Sequence, residues 1–140
     1  MDGFAMVSGR RRVVVTGMGC ITPLGTRVDE LWTHLKNGDS GVGLTTVFDA
    51  SKFPTKISAE VRDWDITDEG YTAEDWKYCG RHTKFAAGAA MRAMTDAGLA
   101  NGLDDPTRLG VYLGSGEGQQ DFNSFTAMMM EAIHGETLDV

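Results

Sequence analysis

The sequence predicts an α/β fold, and three observations carry that prediction. Residues 12–17 are a continuous apolar, β-branched run bounded by glycine, the pattern of a strand buried on both faces, and residues 108–116 read as a second buried strand that runs into a glycine turn. Stretches with apolar residues at helical spacing follow each run. Strand-like and helix-like segments alternate along the sequence, which calls for at least partly parallel strands covered by helices.

The first run, "RRVVVTGMGCITPLG" (residues 11–25), climbs out of arginines into valines and stops at Gly17 and Gly19. Thr26 and Asp29 offer a capping box, Val28, Leu31, Trp32 and Leu35 recur on one helical face, and Gly38 stops the helix. Residues 37–46 are dominated by Gly, Thr and Ser and read as a connection. "KISAEV" (residues 56–61) alternates as a short strand. Residues 63–75 are acidic and irregular, with Trp64 and Tyr71 as the expected anchors. Thr72 and Asp75 offer a second capping box, from which a long helix is expected to reach about Ala97, with Gly98 as its stop. The middle of that helix, "FAAGAAMRAMTDAG", is nearly all small residues, so it must lie close against another backbone. After the second run, Phe122, Phe125, Met129 and Ile133 return to helical spacing.

Composition narrows the function. The 140 residues are 41% hydrophobic and 24% charged, which suits a single globular unit. The net charge of -7 argues against a nucleic-acid partner, because neutralising phosphates takes a basic face. No apolar run reaches the roughly 18 residues that span a bilayer. Residues 1–10 have neither the basic region nor the apolar core of a signal peptide and are expected to be a flexible leader. Cys20 and Cys79 could make one disulfide, but a reducing, cytoplasmic setting is expected. Cys79 and His82 stand three apart and could share one helical face, yet no CxxC or HExxH completes a metal site, so no metal is expected. A dinucleotide site fails similarly. Gly114 and Gly116 start the fingerprint after a strand, but Gln119 stands where its third glycine belongs, and in the first turn Thr22 does.

Four segments taken in order resemble the N-terminal part of β-ketoacyl-acyl-carrier-protein synthases, the elongating condensing enzymes of the thiolase-like fold. They are "RRVVVTGMGCITPLG", "LWTHLKNGDSGVGLTTVFDASKFPTKISAEV", "RHTKFAAGAAMRAMTDAGL" and "RLGVYLGSGEG". The resemblance covers essentially residues 11–136. It implies residues 11–140 of an incomplete α/β/α layered domain, cut before the nucleophile. It also implies a decarboxylative condensation between an acyl group on a cysteine and malonyl-acyl carrier protein, in fatty-acid or polyketide synthesis. Acyl carrier protein is the implied partner, a homodimer the implied full-length state, and no cofactor is implied. In the family the cysteine sits in a Thr-Ala-Cys type turn and two histidines follow it. No such turn occurs in these residues, so no catalytic residue is expected within them. The cysteine and both histidines are expected beyond Val140.

Cys20 stands where the family often has an apolar residue, and it reads as a packed turn residue. Cys79, His34, His82 and His134 read as structural or surface groups. Glu117 departs from the family, whose residue here lines the acyl tunnel and is usually apolar. Its carboxylate either faces that tunnel, disfavouring long acyl chains, or turns to solvent at a helix start, where the macrodipole favours it. Two other readings remain open: a ketosynthase-like partner subunit without a nucleophile, and a free-standing α/β binding module.

Overall fold

The computed structural model describes residues 12–77, 79–116, 126, 129 and 130. These contain helix α1 (Val28–Asn37), strands β1 (Val42–Leu44) and β2 (Ile57–Ala59), helix α2 (Arg81–Asp96), and two short 3-10 turns, Ile66–Glu69 and Pro106–Arg108.

Helix α1 starts one residue later than the Thr26–Asp29 box predicts. The N-cap is Arg27, and the Glu30 carboxylate reaches back to accept the backbone N–H of Thr26 at 3.3 Å and of Arg27 at 3.2 Å. Glu30 is the residue three past the cap, where a carboxylate can satisfy amides that the first turn leaves unbonded. At the other end Gly38 adopts φ 74°, its N–H bonds to Leu35 O, and Asp39 N–H bonds to His34 O. That paired closure needs a left-handed residue, and glycine adopts it with no Cβ penalty. The apolar face of α1 stays open, with Trp32 60% and Leu35 52% exposed.

The expected connection at residues 37–46 contains β1, which pairs antiparallel with β2 in the register Val42–Ala59, Gly43–Ser58 and Leu44–Ile57. A three-residue strand with a central glycine is too short for alternation to show, which is why the sequence reads as loop. The segment at 63–75 is anchored as expected. Trp64 packs on Phe85 with ring centroids 5.5 Å apart, and Tyr71 packs on Trp76 at 5.1 Å. Between them Ile66 is completely buried. The Thr72–Asp75 bond forms at 2.5 Å, but it closes a turn and not a helix. Helix α2 begins only after Gly80, whose backbone is extended (φ -63°, ψ 156°). Gly98, at φ 73°, ends it, with Gly98 N–H on Thr95 O and Leu99 N–H on Met94 O.

The small-residue face of α2 receives the backbone of residues 17–19. A Cβ on Gly17 would stand 2.5 Å from Ala97 N, and one on Gly19 would stand 2.5 Å from Ala93 N. Ala89, Ala93 and Ala97 lie four apart, so they form one stripe on the helix. On an adjoining surface, Gly88 leaves room for the Trp64 ring, which a Cβ would meet at 2.5 Å. Met18 N–H adds a hydrogen bond to Asp96 Oδ2 at 2.9 Å.

The two long apolar runs correct the prediction. Neither residues 12–17 nor residues 109–116 form a strand in the structure. A strand exists only where a neighbour supplies backbone partners, and none is assigned to these runs among the described residues. Val13 is 92% exposed, Tyr112 97% and Leu113 76%, so side chains of core type face outward. Of the helix expected after Gly116, positions 126, 129 and 130 are helical, and the remainder lies outside the described residues.

Candidate functional site

The glycine corner at residues 17–20 opens onto a groove of about 1030 Å³ between α1 and α2, with Cys20, Leu31, Trp32 and Arg92 among its lining. Cys20 is half-buried, and burial pushes its thiol up from the ordinary value. Arg92 opposes that shift, while Glu30 and Asp29 reinforce it. A thiol shifted upward holds little thiolate at neutral pH, and thiolate is the nucleophilic form.

Arg92 ties the groove together. Its guanidinium pairs with Glu69 Oε1 at 2.6 Å and donates to the Thr26 carbonyl at the entry to α1. Glu69 also accepts from Trp64 Nε1 at 2.8 Å. One carboxylate therefore joins the end of the Ile66–Glu69 turn, the Trp64 anchor and α2. Removing either partner would strand a mostly buried charge, which is why such pairs hold geometry even where they add little net stability.

A second carboxylate organises the hairpin. Glu60 is 9% exposed and accepts from Thr46 N at 2.8 Å, Thr46 Oγ1 at 2.7 Å and Ser58 Oγ at 2.8 Å, with Val47 N at 3.4 Å. These donors, led by the Thr46 hydroxyl and amide, hold its carboxyl at about 2, below the ordinary 4.5. Arg62 crosses the sheet above Gly43 to donate to Leu44 O at 3.1 Å. Because the folded-state value of Glu60 is depressed, its contribution is full above pH 4.5 and is lost as pH falls through about 2. Glu60→Gln should therefore speed amide hydrogen exchange across residues 44–60 of the full-length protein at neutral pH. The excess over the parent should shrink as pH falls from 4.5 towards 2. A pH-independent excess would show that the ionised carboxylate is not what holds the loop.

The residues singled out from the sequence are spread over the molecule. His34 Nδ1 meets Asp39 Oδ2 at 2.7 Å at the exposed end of α1. Cys79 lies before α2 and is not on it, so Cys79 and His82 do not share a helix face. The His82 ring folds back over Gly80. Glu117, His134 and the stretch up to Val140 lie outside the described residues. Among the described residues, no group of three His, Cys, Asp or Glu side chains could hold a metal, and no helix is long and apolar enough to cross a membrane. Sequence reasoning missed Arg92, Glu69 and Glu60. Arg92 carried a signal, as the one basic residue in the small-residue helix middle. Glu60 carried a weaker one, since it stands two residues from Ser58 in an alternating stretch.

Residues 10–137 match the family model described as "Beta-ketoacyl synthase, N-terminal domain". Over 112 residues the chain is 42% identical to 3-oxoacyl-[acyl-carrier-protein] synthase 2 of Coxiella burnetii, covering 78% of this chain and 26% of that protein. It is 39% identical over 105 residues to the granaticin polyketide putative beta-ketoacyl synthase 1 of Streptomyces violaceoruber, covering 75% of this chain and 25% of that one. A solved structure titled the ishigamide ketosynthase/chain length factor superposes with a TM-score of 0.67 at 29% identity, over 91% of this chain and 31% of that chain. The chain thus spans about a quarter of the length of the curated relatives it matches. The fold is the N-terminal part of the thiolase-like ketosynthase fold.

Proposed function

The chain belongs to the β-ketoacyl synthase family through that family's N-terminal domain, and from that premise we propose that the whole protein is a 3-oxoacyl-[acyl-carrier-protein] synthase. The observation that carries this reading is the 42% identity to a 3-oxoacyl-[acyl-carrier-protein] synthase 2. The reaction begins with transfer of an acyl group from acyl carrier protein to a cysteine thiolate, releasing the carrier thiol. Malonyl-acyl carrier protein then loses carbon dioxide. The resulting enolate attacks the acyl thioester carbon, the cysteine leaves as thiolate, and the product is two carbons longer.

Such chemistry needs a thiolate with a lowered pKa, N–H donors facing the oxyanion and histidines facing the enolate. The raised thiol of Cys20 does not meet the first requirement. We place the nucleophile and the two histidines beyond Val140, so that these 140 residues supply part of the scaffold. Glu117 is proposed as a position lining the acyl tunnel. The full-length protein is proposed to act as a cytoplasmic homodimer with acyl carrier protein as its partner.

The test is incubation of the full-length protein with acyl- and malonyl-acyl carrier protein, followed by mass spectrometry. A β-ketoacyl product and an acyl adduct outside residues 1–140 are expected. The 140-residue chain alone should give neither product nor adduct, and an acyl group on Cys20 would overturn the assignment. The likeness to a ketosynthase/chain length factor structure favours one second reading, a partner subunit without a nucleophile. That reading predicts a full-length protein that takes up no acyl group.

A further inference from the structure

We propose that Asn101 is a site of spontaneous deamidation, placed on the connection from α2 to the 109–116 run. Asn101 precedes Gly102, and both residues are exposed. Gly102 adopts φ 92°, and its N–H makes one turn bond, to Leu99 O at 2.9 Å. In the reaction the Gly102 amide nitrogen gives its proton to solvent base and attacks Asn101 Cγ. A bond forms between that nitrogen and Cγ, the bond from Cγ to Nδ2 breaks, and ammonia leaves with a proton from water. Water then opens the five-membered imide at either carbonyl, giving aspartate or isoaspartate. Glycine has no Cβ to hinder the approach, and no oxidant or reductant enters.

A second Asn-Gly pair supplies the comparison. Asn37 also precedes a glycine, but it is the last residue of α1. Gly38 N–H bonds to Leu35 O at 3.2 Å and Asp39 N–H to His34 O at 3.0 Å. The Asp39 carboxylate is in turn held by His34 Nδ1 at 2.7 Å. To react, Asn37 must leave a helix end closed by two backbone bonds, whereas Asn101 needs one turn bond to open. Local opening sets access to the reactive geometry, so the two sites should differ in rate by their opening equilibria.

The product has consequences for the fold. A carboxylate at position 101 joins Asp104 and Asp105 on the same short connection, where Asp105 caps the Pro106–Arg108 turn through Thr107 N at 3.1 Å. Isoaspartate adds one backbone atom to the path between α2 and the apolar run. Deamidation would therefore disturb how that run is placed.

The experiment holds the full-length protein in mildly alkaline buffer and follows both sites by peptide mass mapping, with enzymatic methylation to count isoaspartate. Asn101 should convert about tenfold faster than Asn37, the factor that roughly 1.4 kcal/mol of difference in opening gives. In denaturant the two rates should converge, and Gly102→Ala should slow conversion at Asn101. Equal rates in the folded protein, faster conversion at Asn37, or no conversion at Asn101 would each overturn the proposal.

Discussion

Gly19→Val should cost the full-length protein about 3 kcal/mol or more, or prevent its folding altogether. The reason is where the added atoms would go. A Cβ alone at this position would overlap the Ala89 carbonyl oxygen and stand 2.5 Å from Ala93 N, and both belong to the backbone of α2. A long side chain in the way could swing aside, but a helix backbone moves only by shifting the helix. Shifting α2 would also disturb Gly88 against Trp64, and Arg92 in its pairing with Glu69. The control is Gly38→Ala. A Cβ there meets nothing within 4 Å, so the cost is only that of a left-handed alanine, about 1 kcal/mol. Denaturation midpoints of the two variants separate packing from backbone conformation. A Gly19→Val protein as stable as the Gly38→Ala protein would mean that residues 17–19 do not lie on α2 in the full-length protein.

This contact shows what the sequence makes legible. The run of Ala and Gly from 86 to 97 announces a close backbone approach, and the glycines at 17 and 19 announce a segment able to make it. Both signals are local, and so are the Gly38 and Gly98 stops, which is why they read correctly. Capping boxes were less reliable. Thr26–Asp29 lost to Glu30, one residue along, and Thr72–Asp75 formed its bond without a helix behind it. A cap satisfies amides, but propagation depends on the residues that follow and on what they pack against.

The strands failed in the opposite way. Residues 12–17 and 109–116 have the composition of interior strands, and composition cannot say where the neighbouring strands are. With Val14 66% and Val111 73% exposed, these runs display the requirement and not its fulfilment. The polar organisers, Glu60 and the Arg92–Glu69 pair, were invisible for a related reason. Glu60 takes donors from Thr46 and Val47, more than ten residues away, and Arg92 meets Glu69 across 23 positions. Pattern along a sequence does not report which polar groups will meet.

In the full-length synthase we propose, with Glu117 lining the acyl tunnel, Glu117→Leu should raise the specificity constant for long acyl primers about tenfold. A carboxylate beside an alkyl chain either remains ionised at a desolvation cost or takes up a proton. Either way the acyl chain meets a group that would otherwise bind water, and leucine removes that penalty. Relief of about 1.4 kcal/mol in the transition state is enough for a tenfold gain. On the tunnel reading the gain should grow with primer length, because only a chain long enough to reach position 117 would meet the penalty. The solvent-facing reading gives a different result: loss of a few tenths of a kcal/mol of helix-start stabilisation, with an unchanged length profile. The measurement is the ratio of variant to parent kcat/KM across a series of acyl-carrier primers. A ratio that climbs with primer length places the carboxylate beside the substrate, and a flat ratio removes Glu117 from the acyl site.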